Sequence, residues 1–106
     1  MKMGLEITMK MIMIAYNEAI DMEVMEMLEN CGLKNYTKIG ETFGRGTSSG
    51  THLGTDIWPG LNNILYVASP DDTVQKALAA VRDLRKSLGK EGIKAFAWTL
   101  DEITAD

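Results

Sequence analysis

The chain has 106 residues and a formal net charge of −4, with 45% apolar and 25% charged residues, which is the composition of an ordinary globular protein in a single domain, 1–106. The negative charge argues against nucleic acid as a partner, because phosphate binding needs a basic surface. With no apolar run near the roughly 20 residues that cross a bilayer and with one cysteine, Cys31, we expect a cytoplasmic protein that does not insert into membranes.

The first half of the chain predicts a strand, a helix and a second strand. Residues 9–15 read as a strand, with Met9, Met11, Met13 and Ala15 on one face and Lys10, Ile12 and Ile14 on the other. Asn17 is suited to cap the helix that follows, apolar residues recur at helical spacing up to Cys31, and Gly32 ends the helix. Residues 36–43 then alternate as a second strand, with Thr37, Ile39, Glu41 and Phe43 predicted to share a face.

Residues 44–60 carry no apolar period of either strand or helix, and they predict a long loop. This segment is rich in glycine and holds the only histidine, His52, and one of the two tryptophans, Trp58. Loops of this length are uncommon in small domains, and those that exist are usually functional or disordered. We therefore expect the loop to contact a partner.

The second half of the chain predicts a strand over residues 62–69, a helix and a final strand over residues 93–100. Pro70 and Asp71 are residue types that favour a helix start, and Gly89 follows its last apolar residue. The terminal residues 1–7 and 104–106 read as frayed ends. The resulting order β-α-β-β-α-β predicts an α+β, ferredoxin-like sandwich.

Both faces of the first, third and fourth strands are apolar, and the last strand includes Phe96 and Trp98. In a ferredoxin-like fold the two helices cover only one face of the sheet. An exposed apolar face of that size is unusual for a monomer. We therefore expect the second face to be buried against further copies of the chain.

Several candidate sites remain open from the residue types alone. His52 is either a solvated loop residue or, with Asp56, an acid–base pair or a divalent metal pair. With Glu41 as a third candidate ligand, the metal alternative would make the chain a metal-binding or metal-tolerance protein of several copies. Trp58 is either the tip of a docking surface or the residue that leads into the third strand. No acid–base pair in an enclosed pocket is evident, so the sequence does not predict an enzyme.

Three short motifs and the order of elements resemble the PII signal-transduction proteins. The motifs are Thr42-Phe43-Gly44-Arg45 at the start of the long loop, Pro70-Asp71-Asp72 at the start of the second helix, and Lys94-Ala95-Phe96 in the last strand. The resemblance implies a homotrimer whose sheets line a central core. It also implies small-molecule binding in clefts between subunits, with an adenine nucleotide as the family's ligand, and a loop that docks on a target protein such as a transporter or an enzyme.

The resemblance also assigns roles to individual residues. Gly44 and Arg45 match the family's Gly-Arg at the base of the loop, with Gly46 following them, Lys94 matches a lysine that contacts phosphate, and Thr37 corresponds to a threonine that contacts adenine. The loop residues that would contact the target are Thr51, His52 and Trp58. Gly46 replaces the family's glutamine, and the tail lacks the family's basic residues. We therefore expect a PII-like protein that has changed its ligand.

Overall fold

A computed structural model of the chain describes residues 7–44, 61–89 and 92–104. The strands are β1 (Met9–Asn17), β2 (Thr37–Phe43), β3 (Leu61–Pro70) and β4 (Ile93–Thr99), and the helices are α1 (Asp21–Cys31) and α2 (Asp71–Leu88). A single 3-10 turn over Glu18–Ile20 joins β1 to α1. The predicted α+β, ferredoxin-like order is confirmed.

The ends of the helices follow the residues that the sequence singled out. The side chain of Asn17 accepts a hydrogen bond from the backbone N–H of Ala19 at 2.8 Å. At the other end of α1, Gly32 has a φ of 82°, a conformation that glycine adopts without steric cost, and its N–H bonds back to the helix. Asn17 caps a 3-10 turn and not the α-helix itself, because α1 begins only at Asp21.

The sheet is antiparallel throughout and has the strand order β2-β3-β1-β4, so β2 and β4 are its edges. Strand β1 continues two residues beyond the predicted end. Asn17 stays in register with Asn62 on β3, and its N–H donates to the carbonyl of Gly92 at 2.8 Å. Pairing on both sides therefore extends this central strand beyond its apolar stretch.

One face of the sheet packs on the helices and forms the core. Ile12, Ile14 and Tyr16 of β1 are at most 1% exposed. They lie among Val24 and Leu28 of α1 and Val74, Ala77 and Val81 of α2. The opposite face carries no helix in the part of the chain that the structure describes, and we call it the uncovered face.

Register defines the residues of the uncovered face. Met13 lies between Tyr66 and Phe96, and Met11 lies between Ala68 and Trp98. Phe96 and Trp98 are 46% and 45% exposed although both are large and apolar. The prediction that β1, β3 and β4 are apolar on both faces is therefore confirmed.

The predicted alternation of β2 is wrong beyond Ile39, because a β-bulge interrupts the strand. Ile39 pairs with Ile64, whereas Thr42 pairs with Asn62, so β2 holds one more residue than β3 over this interval. Glu41 within the bulge has a φ of 55°, a left-handed conformation that costs a non-glycine residue about 1–2 kcal/mol.

The bulge exchanges the faces of the residues that follow it. Thr42 joins the uncovered face with Ile39, and Phe43, opposite Leu61, moves to the other side of the sheet. Phe43 is 88% exposed there. The sequence had placed Phe43 with Ile39, so this is a correction.

Removing core volume should test the assignment of the covered face. We expect Ile14→Ala to lower the free energy of unfolding by about 2–5 kcal/mol, because Ile14 is completely buried and the change leaves a cavity. Ile7→Ala is the matched control, since Ile7 is largely exposed. Urea unfolding of both variants measures the difference, and equal losses would contradict the assignment.

Candidate functional site

Two of the candidate ligand-binding residues, Thr37 and Gly44, lie at the two ends of the edge strand β2. Thr37 is the first residue of the strand, pairs with Tyr66, and therefore lies on the uncovered face, where it is exposed. Gly44 follows the last residue of the strand. They stand at opposite ends of β2, one before the bulge and the other after it.

Gly44 is held close to the neighbouring strand β3. A Cβ atom built on Gly44 would lie 2.6 Å from the side-chain nitrogen of Asn62, a distance that real Cβ atoms do not show. The hydroxyl of Thr42 donates to the carbonyl of Asn62 at 2.8 Å and fixes the end of β2 on the same residue. The chain therefore leaves the sheet beside the Asn62 side chain, which would have to shift to admit a larger residue at Gly44.

Lys94 lies on the other edge strand, β4. It pairs with Ala15 of β1, which places it on the uncovered face with Thr37. Its ammonium group lies 5.7 Å from the centre of the Phe96 ring, within the range of a cation–π contact. Among the described strand residues of the uncovered face, Lys94 is the one cation, because the lysines of β1 and β2 point to the helix side.

A single chain does not bring Thr37 and Lys94 together. Their strands are separated by three strand spacings of about 4.8 Å, which amounts to about 14 Å across the sheet. No one side chain spans that distance. Within one chain, a compact anion such as phosphate therefore cannot contact both residues.

A polar network that the sequence did not predict lies between α1 and the bulge. One carboxylate oxygen of Asp21, Oδ1, accepts hydrogen bonds from the Tyr16 hydroxyl, from Lys38 Nζ at 2.7 Å and from Asn63 Nδ2 at 3.2 Å. The network thus joins α1 to β1, β2 and β3. The sequence contains no spacing that links these four residues.

The network shifts the pKa values of its members in opposite directions. Burial, and next the hydrogen bond to Asp21, raise the pKa of Tyr16, so its hydroxyl stays protonated and donates. Partial burial on its own would raise the pKa of Asp21, but the hydrogen bonds from Lys38, Tyr16 and Asn63 outweigh it and lower that pKa. Asp21 is therefore a carboxylate over the whole physiological range.

The other candidate residues lie outside the described residues. These are Arg45, Gly46, Thr51, His52, Asp56 and Trp58, so the predicted metal and partner sites stay predictions. Across residues 7–44, 61–89 and 92–104, no group of three or more histidine, cysteine or acidic side chains is arranged to hold a metal ion. Within the same residues, neither helix is long and apolar enough to span a bilayer.

Comparison with solved structures relates this geometry to known proteins. The apo form of CPII, a nitrogen regulatory PII-like protein from Thiomonas intermedia K12, matches with a TM-score of 0.66 over 88% of this chain and 89% of that chain, at 17% identity. A PII-like signaling protein from Thermus thermophilus matches with a TM-score of 0.61 at 17% identity, over 89% and 88% of the two chains.

This chain has the PII-like fold. The resemblance seen in the sequence is therefore confirmed at the level of the fold. CPII bound to ADP, AMP and bicarbonate also matches, with a TM-score of 0.59 and 16% identity over 88% of this chain and 94% of that chain. No protein-family model and no curated protein matches the sequence.

In this PII-like fold the Asp21 network should make stability depend on pH. The folded-state pKa of Asp21 is below its ordinary value, so its contribution is complete above about pH 4 and is lost as the pH falls through the folded pKa. We expect Asp21→Asn to flatten the acid loss of stability below about pH 4, measured as urea midpoints from pH 6 down to pH 2.

The control for that measurement is another lysine–aspartate pair among the described residues, Lys10 and Asp71. Lys10 Nζ lies 2.9 Å from Asp71 Oδ1, and hydrogen bonds from Lys10 and Gln75 lower the pKa of Asp71. Asp71→Asn should also reduce the loss of stability at acid pH, independently of Asp21. The double variant should therefore reduce that loss by the sum of the two effects. An unchanged slope in Asp21→Asn would contradict the network.

Proposed function

We propose that this protein is a PII-like homotrimeric regulator that binds a small anionic ligand in clefts between its subunits. An adenine nucleotide is the first ligand to test. Its long loop, residues 44–60, docks on a target protein such as a transporter or an enzyme. The observation that carries the proposal is the placement of Thr37 and Lys94 on opposite edges of a sheet whose uncovered face is apolar.

The uncovered face supports assembly. It carries methionines from β1, Ile64 and Tyr66 from β3, and Phe96 and Trp98 from β4. A four-stranded sheet is roughly 20 Å wide, so these residues form one contiguous apolar patch of the kind that marks an interaction site. Burial of this face against sister subunits would stabilise the assembly by roughly 25 cal/mol for each Å² of apolar surface removed from water.

Ring assembly supports a shared ligand site. In a trimer with rotational symmetry, one subunit's β2 edge can meet the next subunit's β4 edge, because each contact repeats around the axis. Thr37 and Gly44 would then come from one copy and Lys94 from its neighbour. In such a trimer the roughly 14 Å between Thr37 and Lys94 of one chain would not prevent a shared site, because the two residues would belong to different subunits.

The chemistry of Lys94 supports an anion as the ligand. A lysine ammonium is a compact cation that binds phosphate or carboxylate groups, and Lys94 is exposed at a sheet edge. The structurally similar CPII is described as bound to ADP, AMP and bicarbonate. An adenine nucleotide, or a small anion such as bicarbonate, is therefore the ligand class that we assign to this cleft.

The position of the loop supports a regulatory and non-enzymatic role. Residues 44–60 leave the sheet after the Phe43–Leu61 pair, next to the candidate ligand residue Gly44. Ligand bound there could bias the conformation of the loop, since a ligand shifts any equilibrium whose states it binds unequally. The structurally similar proteins are described as signaling or nitrogen regulatory proteins, which supports the same assignment.

Ligand binding is tested by calorimetry with ADP, with and without bicarbonate. We expect Lys94→Ala to weaken ADP binding about tenfold or more, because a hydrogen bond to a charged group contributes about 1.5–3 kcal/mol. Lys86→Ala is the control, since Lys86 is an exposed lysine on α2 away from the uncovered face. Equal affinity in both variants would remove Lys94 from the site.

Assembly is tested with a pair of methionine substitutions. Met13→Glu places a carboxylate at the centre of the uncovered face, between Tyr66 and Phe96, and should convert the trimer to monomer because a buried unpaired charge is costly. Met22→Glu makes the same change at an exposed position of α1 and should leave the trimer intact. Sedimentation velocity separates the outcomes, and a monomeric wild type would overturn the proposal.

A further inference from the structure

The polar network at Asp21 ends at the bulge that precedes the candidate ligand residue Gly44. The side chain of Asn63 donates its Nδ2 to Asp21 at 3.2 Å. The side-chain oxygen of Asn63, Oδ1, faces Gly40. A Cβ atom built on Gly40 would lie 3.4 Å from this oxygen. Lys38, the second donor, is on β2 two residues before Gly40. Asp21 therefore contacts both strands that enclose the bulge.

The bulge needs such support because its conformation is unfavourable on its own. Glu41 has a φ of 55°, and residues in this region persist only where surrounding contacts hold them. The extra residue determines which side chains face the uncovered face beyond Ile39. A register slip of one residue would turn Thr42 away from that face and separate Gly44 from Asn62.

We propose that Asp21 is a positioning residue for the ligand site, and this inference rests on the proposed function. Its carboxylate orients Lys38, which precedes the bulge on β2, and Asn63, which lies opposite the bulge on β3. The bulge in turn places Gly44 against Asn62, where the chain leaves the sheet toward residues 45–60. Asp21 lies on the helix side of the sheet and acts on the ligand through these residues, without touching it.

The other lysine–aspartate pair separates positioning from simple stabilisation. The Lys10–Asp71 and Lys38–Asp21 pairs have similar distances, 2.9 Å and 2.7 Å, and similar exposure. Asp71 also accepts from a side-chain amide, that of Gln75 at 3.2 Å. Asp71 is the first residue of α2, and it lies near the end of β3 that is farther from the bulge. Asp71→Ala therefore shows how loss of a lysine–aspartate pair far from the bulge affects the ligand site.

The experiment compares Asp21→Ala with Asp71→Ala in the intact protein. In amide nitrogen–proton NMR spectra without ligand, Asp21→Ala should shift the resonances of Gly40 and Gly44, whereas Asp71→Ala should leave them unchanged. In calorimetry with ADP, Asp21→Ala should raise the dissociation constant about fivefold, and Asp71→Ala should change it less than twofold. If Asp21→Ala does not fold, Asp21→Asn takes its place in both measurements.

Each outcome decides the inference. Unshifted Gly40 and Gly44 resonances in the Asp21 variant, or equal loss of ADP affinity in both variants, would overturn it. If the wild-type protein does not bind ADP, the proposed ligand fails. The NMR comparison then decides alone whether Asp21 sets the geometry of Gly44.

Discussion

The structure depends on one constraint, which is that the two helices of the described residues cover only one face of a four-stranded sheet whose faces are both apolar. The helices satisfy one face, where Ile12, Ile14 and Tyr16 are removed from water. On the other face Phe96 and Trp98 stay about half exposed. A contiguous apolar patch that large side chains leave half exposed marks an interaction site, and the proposed assembly would bury it.

The same constraint gives the candidate ligand site its form. Thr37 and Lys94 stand on the two edge strands of this sheet, β2 and β4. The width of the sheet keeps the two side chains apart within one chain. A regulator whose binding site exists only in the assembled state would couple ligand binding to assembly, because a ligand that binds one state stabilises that state.

The sequence predicted the elements that depend on local signals. Asn17 and Gly32 act at the ends of the first helical segment because capping depends on one residue and its neighbouring amides. The apolar alternation of β1 identified both of its faces for the same reason. The bulge was missed although an isolated glycine inside a strand, here Gly40, is a signal for one, and the error moved Phe43 to the wrong face. Asp21 was missed because its partners Lys38 and Asn63 are 17 and 42 residues away.

The amino-acid sequence by itself determined the order of strands and helices, the two apolar faces of the sheet and the resemblance to PII proteins. These follow from periodicity, caps and short motifs, which are read over a few neighbouring residues. Only the tertiary structure decided which face the helices cover, the register of β2 around Glu41, the distance between Thr37 and Lys94, and the junction of four elements at Asp21. Those features arise where segments distant in the chain meet, and their energies depend on the pairing of strands, which no local pattern specifies.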